Sequence, residues 1–277
     1  MRKLHLFVAC AVLALGVSCS SNGTTDGTDG ATASTNAIDV ALQEYAFITT
    51  GEAKAGLLTI NYSNTGEQLH MAIVGRLDAG KTLADVNAEV AKGDEGPPPP
   101  WFHDEPEDMS ILSPGKQVSV TVDASDPGTY ALLCFIPSPD GKPHVALGMT
   151  QTFEVTGTSD ASAPAADGQI DLSEDRITVP GFTSGSRTVE VTNTGSGPGD
   201  INIVKLEQGK ALEDIDKWFN KGEGPPPATF YGGTHGIEPG ATKTMTFVLD
   251  PGTYTAVATF EQEKGPPKDV TVEFTIA

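Results

Sequence analysis

The sequence predicts an all-β protein built as two tandem Greek-key β-sandwich domains, each carrying one inserted short helix. Three observations predict it: a long internal repeat, short strand-like runs separated by turn signals, and a single helical stripe in each repeat. The repeat is read by self-comparison. Leu77-Asp78-Ala79-Gly80-Lys81-Thr82-Leu83-Ala84-Asp85-Val86 returns as Leu206-Glu207-Gln208-Gly209-Lys210-Ala211-Leu212-Glu213-Asp214-Ile215. Gly96-Pro97-Pro98-Pro99 returns as Gly224-Pro225-Pro226-Pro227, Ser113-Pro114-Gly115 as Glu238-Pro239-Gly240, and Pro127-Gly128-Thr129-Tyr130 as Pro251-Gly252-Thr253-Tyr254. Order and spacing hold throughout, which marks a duplication. The copies are placed at residues 37–156 and 169–277, each roughly 110 residues and so of ordinary single-domain size. Residues 157–168, rich in Ala, Ser, Gly and Asp, read as the linker.

Within the first copy, Gly56–Tyr62 is β-rich and ends in the turn Asn64-Thr65-Gly66, and His70–Val74 is a short apolar strand. Val118–Val122 alternates with period two, as Thr244–Val248 does in the second copy, and Tyr130–Phe135 and Thr152–Val155 complete the set. One helix interrupts the strands. Thr82 can cap it, Asp85 stands three residues on, and Leu83, Val86 and Val90 share a face that Leu212, Ile215 and Phe219 repeat. Gly-Pro-Pro-Pro then stops the helix and forces an extended path. The apolar helical stripe is core packing and no cofactor box.

The N-terminus addresses the compartment. Arg2 and Lys3 precede an apolar run, Leu4–Leu15, broken only by His5 and too short for a stable membrane span. Leu15-Gly16-Val17-Ser18-Cys19 follows, and these small residues before a cysteine resemble the lipobox of bacterial lipoproteins. That resemblance implies a signal peptide over 1–18 and acylation of Cys19; the alternative is ordinary secretion with cleavage nearby. Residues 19–36 show no hydrophobic periodicity and read as a flexible tether. The expected location is the extracytoplasmic face of the cell membrane, with the lipid anchor as the attachment. A net charge of −20 excludes a nucleic-acid binder, which needs basic patches, and electrostatic docking on anionic lipid. The charge serves solubility, with steering of a cationic partner as the functional alternative.

Cys10 leaves with the signal and Cys19 is consumed by lipid, so Cys134 remains as the one thiol of the mature chain. A lone thiol outside the cytoplasm calls for an explanation, either metal ligation or burial as a small apolar residue. Around it the sequence runs Tyr130-Ala131-Leu132-Leu133-Cys134-Phe135-Ile136-Pro137-Ser138-Pro139-Asp140-Gly141-Lys142-Pro143-His144-Val145-Ala146-Leu147-Gly148-Met149. A strand delivers the cysteine, a Pro/Gly loop holds a histidine, and a Gly-Met precedes the last strand. Far upstream, His70 opens a strand after a turn. The arrangement resembles the cupredoxins, the small blue-copper proteins. The resemblance covers the first copy and extends to the second without the ligands. It implies one copper ion held by His70, Cys134 and His144, with Met149 as a weak axial ligand. Two imidazoles, a thiolate and a long thioether bond suit both oxidation states of copper.

The loop departs from that family. Nine residues separate Cys134 from His144, longer than most blue-copper loops, although Pro and Asp-Gly can order the excursion. The second copy is an internal control: His70 aligns with Gly199 or Asp200, Cys134 with Ala258, and its loop carries no His or Met. The fold therefore does not itself demand the four side chains. His103 reads as a loop histidine, His235 as part of a Gly-rich turn without a partner, and Gly195–Gly199 as a turn rather than a phosphate loop. The expected function is a membrane-anchored copper protein that transfers electrons to a redox partner protein or holds copper. It is not an enzyme, because five histidines, one in the leader, are too few for a multicopper centre. The competing reading is a metal-free β-sandwich lipoprotein used as a surface binding or scaffold module.

Overall fold

The computed structural model describes residues 35–93, 98–221, 224–262 and 265–277. The predicted leader, Cys19 and nearly all of the tether lie outside the described residues. The first repeat runs β1 (Ala37–Gln43), β2 (Ala46–Gly51), β3 (Ala53–Ala55), β4 (Leu57–Asn64), β5 (His70–Leu77), α1 (Leu83–Val90), β6 (Phe102–Leu112), β7 (Gln117–Asp123), β8 (Gly128–Leu133) and β9 (Thr150–Thr158). The second runs β10 (Gly168–Ser173), β11 (Arg176–Thr178), β12 (Gly185–Asn193), β13 (Gly199–Leu206), α2 (Leu212–Lys221), β14 (Ala228–Ile237), β15 (Thr242–Leu249), β16 (Gly252–Phe260) and β17 (Lys268–Ile276). The all-β expectation holds, with one helix per repeat at the predicted place. Asp85 accepts hydrogen bonds from both the backbone N–H and the hydroxyl of Thr82, at 3.0 and 2.9 Å, and so fixes the start of α1.

Alternation decides the layers. In β1 the side chains of Ile38, Val40 and Leu42 are buried while those between them face outward, and in β4 Leu58, Ile60 and Tyr62 do the same. In the first repeat one sheet runs β2-β1-β4-β7 and the other β6-β5-β8-β9-β3; the second repeat reproduces them as β11-β10-β12-β15 and β14-β13-β16-β17. Strands adjacent in a sheet are often distant in sequence, as β4 and β7 are, which is the crossing of a Greek key.

The two repeats also join edge to edge. β7 pairs with β15 through Val118↔Phe247, Ser119↔Thr246, Val120↔Met245 and Thr121↔Thr244, and β6 meets β14 at Leu112↔Tyr231. Both sheets therefore run unbroken through both copies, and the edges that an isolated sandwich would expose are covered. Gly232, at φ 93°, permits the close seam: a β-carbon there would lie 2.6 Å from the Val118 side chain. Polar groups stitch the same line. Ser113 donates its N–H to Phe230 O at 3.0 Å and accepts the Phe230 N–H at its hydroxyl at 2.9 Å, while Ser110 Oγ donates to Gly233 O at 2.8 Å. Buried Asp108 accepts from Tyr62 at 3.1 Å and from Thr234, across the seam, at 3.2 Å.

Three sequence expectations change. His103 lies on β6, not in a loop, with Nε2 2.8 Å from Asp78 Oδ1. His235 lies on β14 and has partners, because the preceding glycines let the strand pack against its neighbours instead of turning. Its Nδ1 is 3.1 Å from Asp200 Oδ2, and its Nε2 is 3.1 Å from Asn202 Nδ2. The His70 alignment resolves to Gly199, since each opens the equivalent strand opposite Leu112 and Ile237 respectively.

Candidate metal centre

His70, Cys134 and His144 come together from 74 residues of sequence separation, all three fully buried, with their ligand-capable atoms within 4.8 Å of one another. β5 opens on His70. β8 ends at Leu133 and hands the chain to Cys134, whose Sγ accepts the Met71 N–H at 3.3 Å, so the cysteine is locked to the strand that bears His70.

The nine-residue excursion is ordered. Pro137 and Pro143 face each other in an antiparallel bridge, Ser138 N–H donates to Lys142 O at 2.7 Å, and Gly141, at φ 78°, closes the turn with an N–H to Ser138 O at 2.8 Å. The extra residues fold out as a miniature hairpin and return the chain to its starting point. There His144 N–H meets Ile136 O at 2.9 Å and Val145 N–H meets Cys134 O at 2.7 Å. A single 3-10 turn, His144–Leu147, follows Pro143 and ends at Gly148 in the left-handed region. That turn sets Met149, fully buried, with its N–H 3.0 Å from His144 O.

The ring nitrogens are sorted by their surroundings. His144 Nε2 faces Gln68 Oε1 at 3.2 Å, and His70 Nε2 faces the Glu44 carboxylate at 3.4 Å. Both partners offer acceptor oxygens; the His144–Gln68 contact is a hydrogen bond, whereas His70 Nε2 makes none and meets Glu44 only as a longer polar contact. The two Nδ1 atoms face each other at 3.1 Å, with Cys134 Sγ 3.5 Å from that of His144. With the ring hydrogens on Nε2, two Nδ1 lone pairs this close in a dry site are relieved by a cation between them; with one hydrogen on Nδ1, the rings share a hydrogen bond instead. One ion with bonds of about 2.0 Å to nitrogen and 2.3 Å to sulfur can span both separations. The donor set therefore fits a metal ion, and a soft one.

Burial pushes the His144 pKa down to about 4, with His70 adding to the effect, and burial likewise lowers His70 against the opposing pull of Glu44. Burial raises the Cys134 thiol to about 11, opposed by the backbone N–H of Met71. At neutral pH the imidazoles are neutral and ready to ligate, whereas the thiol holds its proton until a metal displaces it.

Sequence reasoning missed Glu44, Tyr45 and Gln68. Tyr45 packs its ring edge on His144, with centroids 5.1 Å apart, and its hydroxyl lies 3.4 Å from Gln68 Nε2. A signal existed: Glu44 and Glu174 stand 20 and 19 residues before the repeated Asn-Thr-Gly turn, a one-residue difference, and both accept backbone N–H groups that follow it.

In the second repeat the position of His70 belongs to Gly199, and a β-carbon there would lie 2.7 Å from the Phe260 ring. Phe260, Ala258 and Gly199 close the space that the first repeat leaves to ligands. No other cluster of His, Cys, Asp and Glu with metal-ligand spacing occurs among the described residues.

No family model matches the sequence, and comparison with curated proteins finds no match. Among solved structures, reduced auracyanin from the photosynthetic bacterium Roseiflexus castenholzii aligns at 24% identity and TM-score 0.30, over 44% of this chain and 98% of that one. A blue copper oxidase from Nitrosomonas europaea aligns at 14% identity and TM-score 0.24, over 85% of this chain and 84% of that one. A copper-containing nitrite reductase from Thermus scotoductus aligns at 10% identity and TM-score 0.24, over 84% of this chain and 60% of that one.

Proposed function

We propose that the first repeat binds one copper ion, which His70, Cys134 and His144 would hold with Met149 as a weaker fourth ligand. In this reading the protein is a lipid-anchored, extracytoplasmic electron carrier or copper holder of cupredoxin type. The observation that carries the reading is the pair of buried Nδ1 atoms 3.1 Å apart beside a buried thiol. Copper, when bound, supplies one-electron chemistry between Cu(II) and Cu(I). The chain's own residues do the rest. Glu44 and Gln68 orient the imidazoles, the Met71 N–H holds the sulfur, and the surrounding apolar core excludes water. A donor set held on a strand start, a strand end and a braced loop rearranges little between oxidation states, which favours electron transfer.

Carrier is preferred to enzyme because both histidines are fully buried, which shields an ion held there from a substrate. The acyl anchor at Cys19 and the membrane location rest on the leader and its Leu-Gly-Val-Ser-Cys sequence. Among the described residues no helix is long and apolar enough to cross a membrane. A redox partner protein is the expected interactor, and the charge of −20 favours a cationic one.

The test is one equivalent of Cu(II) added to the purified protein, read by visible absorption and electron paramagnetic resonance. An intense thiolate-to-copper charge-transfer band with 1:1 uptake is expected, and it disappears in Cys134→Ser. Absence of specific uptake would leave a metal-free sandwich acting as a binding or scaffold module.

A further inference from the structure

We infer that Glu44 is a positioning residue for the metal centre: the two-residue turn between β1 and β2 grips His70 from outside the ligand set and biases the site toward the more highly charged ion. The inference rests on the copper reading above.

The turn is Glu44-Tyr45, and among the described residues Tyr45 is the one non-glycine at positive φ, 61°. That conformation sends the two side chains along the same loop, residues 65–69. Glu44 Oε1 accepts the backbone N–H groups of Glu67 and Gln68 at 2.6 and 2.9 Å, and the same oxygen stands 3.4 Å from His70 Nε2. The loop is pressed onto the carboxylate so tightly that a β-carbon on Gly66 would lie 2.5 Å from Oε1. Tyr45 meanwhile packs on His144 and reaches Gln68, whose Oε1 faces His144 Nε2. One turn thus touches the outer edge of both imidazoles.

The second repeat separates two roles that Glu44 combines. Glu174 braces its own loop in the same way, through the N–H groups of Ser196 and Gly197 at 2.6 and 3.1 Å, and a β-carbon on Gly195 would lie 2.6 Å from its carboxylate. No histidine stands beyond it, since Gly199 occupies that place. Bracing the loop is therefore common to both copies, and facing an imidazole is confined to the first. A carboxylate behind a ligating histidine fixes the ring, increases the electron density it donates, and places a negative charge where Cu(II) gains more than Cu(I).

The test compares Glu44→Gln with Glu174→Gln in the full chain. Glutamine keeps an acceptor for the loop and removes the charge. Cu(II) and Cu(I) affinities are measured by competition with chelators, the couple's potential by redox titration, and thermal stability on the metal-free protein. Glu44→Gln is expected to weaken Cu(II) binding about 10–100-fold, the usual cost of losing a partner behind a ligand. Cu(I) binding should change less, and each tenfold of difference raises the potential by about 59 mV. Glu174→Gln is expected to leave both affinities and the potential unchanged while altering thermal stability to a similar extent. If the two variants lose stability alike and neither moves the potential, Glu44 is a loop brace and the inference fails with copper binding intact. If the wild-type chain takes up no copper, the copper reading itself falls, and this inference with it.

Discussion

Asn64→Ala, set against Asn193→Ala, separates the shared scaffold from the site it carries. Asn64 is 2% exposed and ends β4. Its amide donates to Gln68 O at 2.8 Å and to Leu112 O at 2.7 Å, and its carbonyl accepts the Gly66 N–H at 2.9 Å. Asn193 makes the equivalent set in the second repeat, to Gly197 O at 2.9 Å, Ile237 O at 2.6 Å and from Gly195 N–H at 2.8 Å. One buried and two partly buried hydrogen bonds at about 1 kcal/mol each give a cost of about 3 kcal/mol for either substitution. The sheets run through both copies, so the chain is expected to melt as one unit, with Tm lowered on the order of 6–12 °C in each variant. The copies then part company. Asn64 holds the carbonyl of Gln68, whose side chain orients His144, so Asn64→Ala is also expected to weaken copper binding, whereas Asn193→Ala leaves it alone. Calorimetry of the metal-free proteins and a copper competition titration read both quantities. A loss under about 1 kcal/mol in either variant, or a copper effect in Asn193→Ala, would refute the reasoning.

Other expectations concern pH and the sulfur ligand. At the seam, burial works against charge on His235, but Asp200 at 3.1 Å outweighs it and holds the pKa above the ordinary 6.5. Burial also raises Asp108, against the counter-pull of Lys243 and His235. A histidine with a raised folded pKa contributes fully below pH 6.5 and loses its contribution as pH rises through the folded value. A carboxyl raised by burial acts in the same direction. In the metal-free protein the lowered His70 and His144 work the opposite way, so the seam is read by difference: above pH 6.5 the urea midpoint is expected to fall more in the wild type than in His235→Gln, and parallel profiles would show that the seam does not titrate. Cys134→Ser in the metal-free protein is expected to cost no more than about 1–3 kcal/mol, the penalty of burying a hydroxyl, so that loss of the copper band reports a missing ligand and not a lost fold.

The duplication and the alternation in β7 and β15 made the sandwich legible, because periodicity records which face is buried. His70, Cys134 and His144 were legible for a different reason: they occur together in one copy and are replaced together in the other. What was hidden depended on contacts across long separations. Glu44 is one of 37 acidic residues, and nothing local distinguishes it until the β1–β2 turn is laid against residues 65–69. His235 looked partnerless because Asp200, 35 residues earlier, becomes its neighbour only through pairing of β13 with β14. The seam was illegible too, since edge strands that pair with a second copy read like edge strands that face water.

A steric account of the divergence between the copies can be tested by a double-mutant cycle. At the position of His70 the second repeat has Gly199, and at the position of Ile136 it has Phe260, fully buried, whose ring would stand 2.7 Å from a β-carbon on Gly199. The glycine and the ring are two halves of one substitution, in which an aromatic side chain fills the volume an imidazole would need. Gly199→His alone is expected to destabilise by at least about 1–3 kcal/mol through overpacking. Phe260→Ile alone is expected to cost about 1–3 kcal/mol for the cavity it opens. Together they are expected to cost less than the sum, with a coupling of about 0.5–3 kcal/mol in favour of the pair, because the isoleucine vacates the space the histidine enters. Strict additivity would mean that Phe260 does not occupy the lost ligand's place, and that the second repeat lacks a metal site for reasons of ligand identity alone.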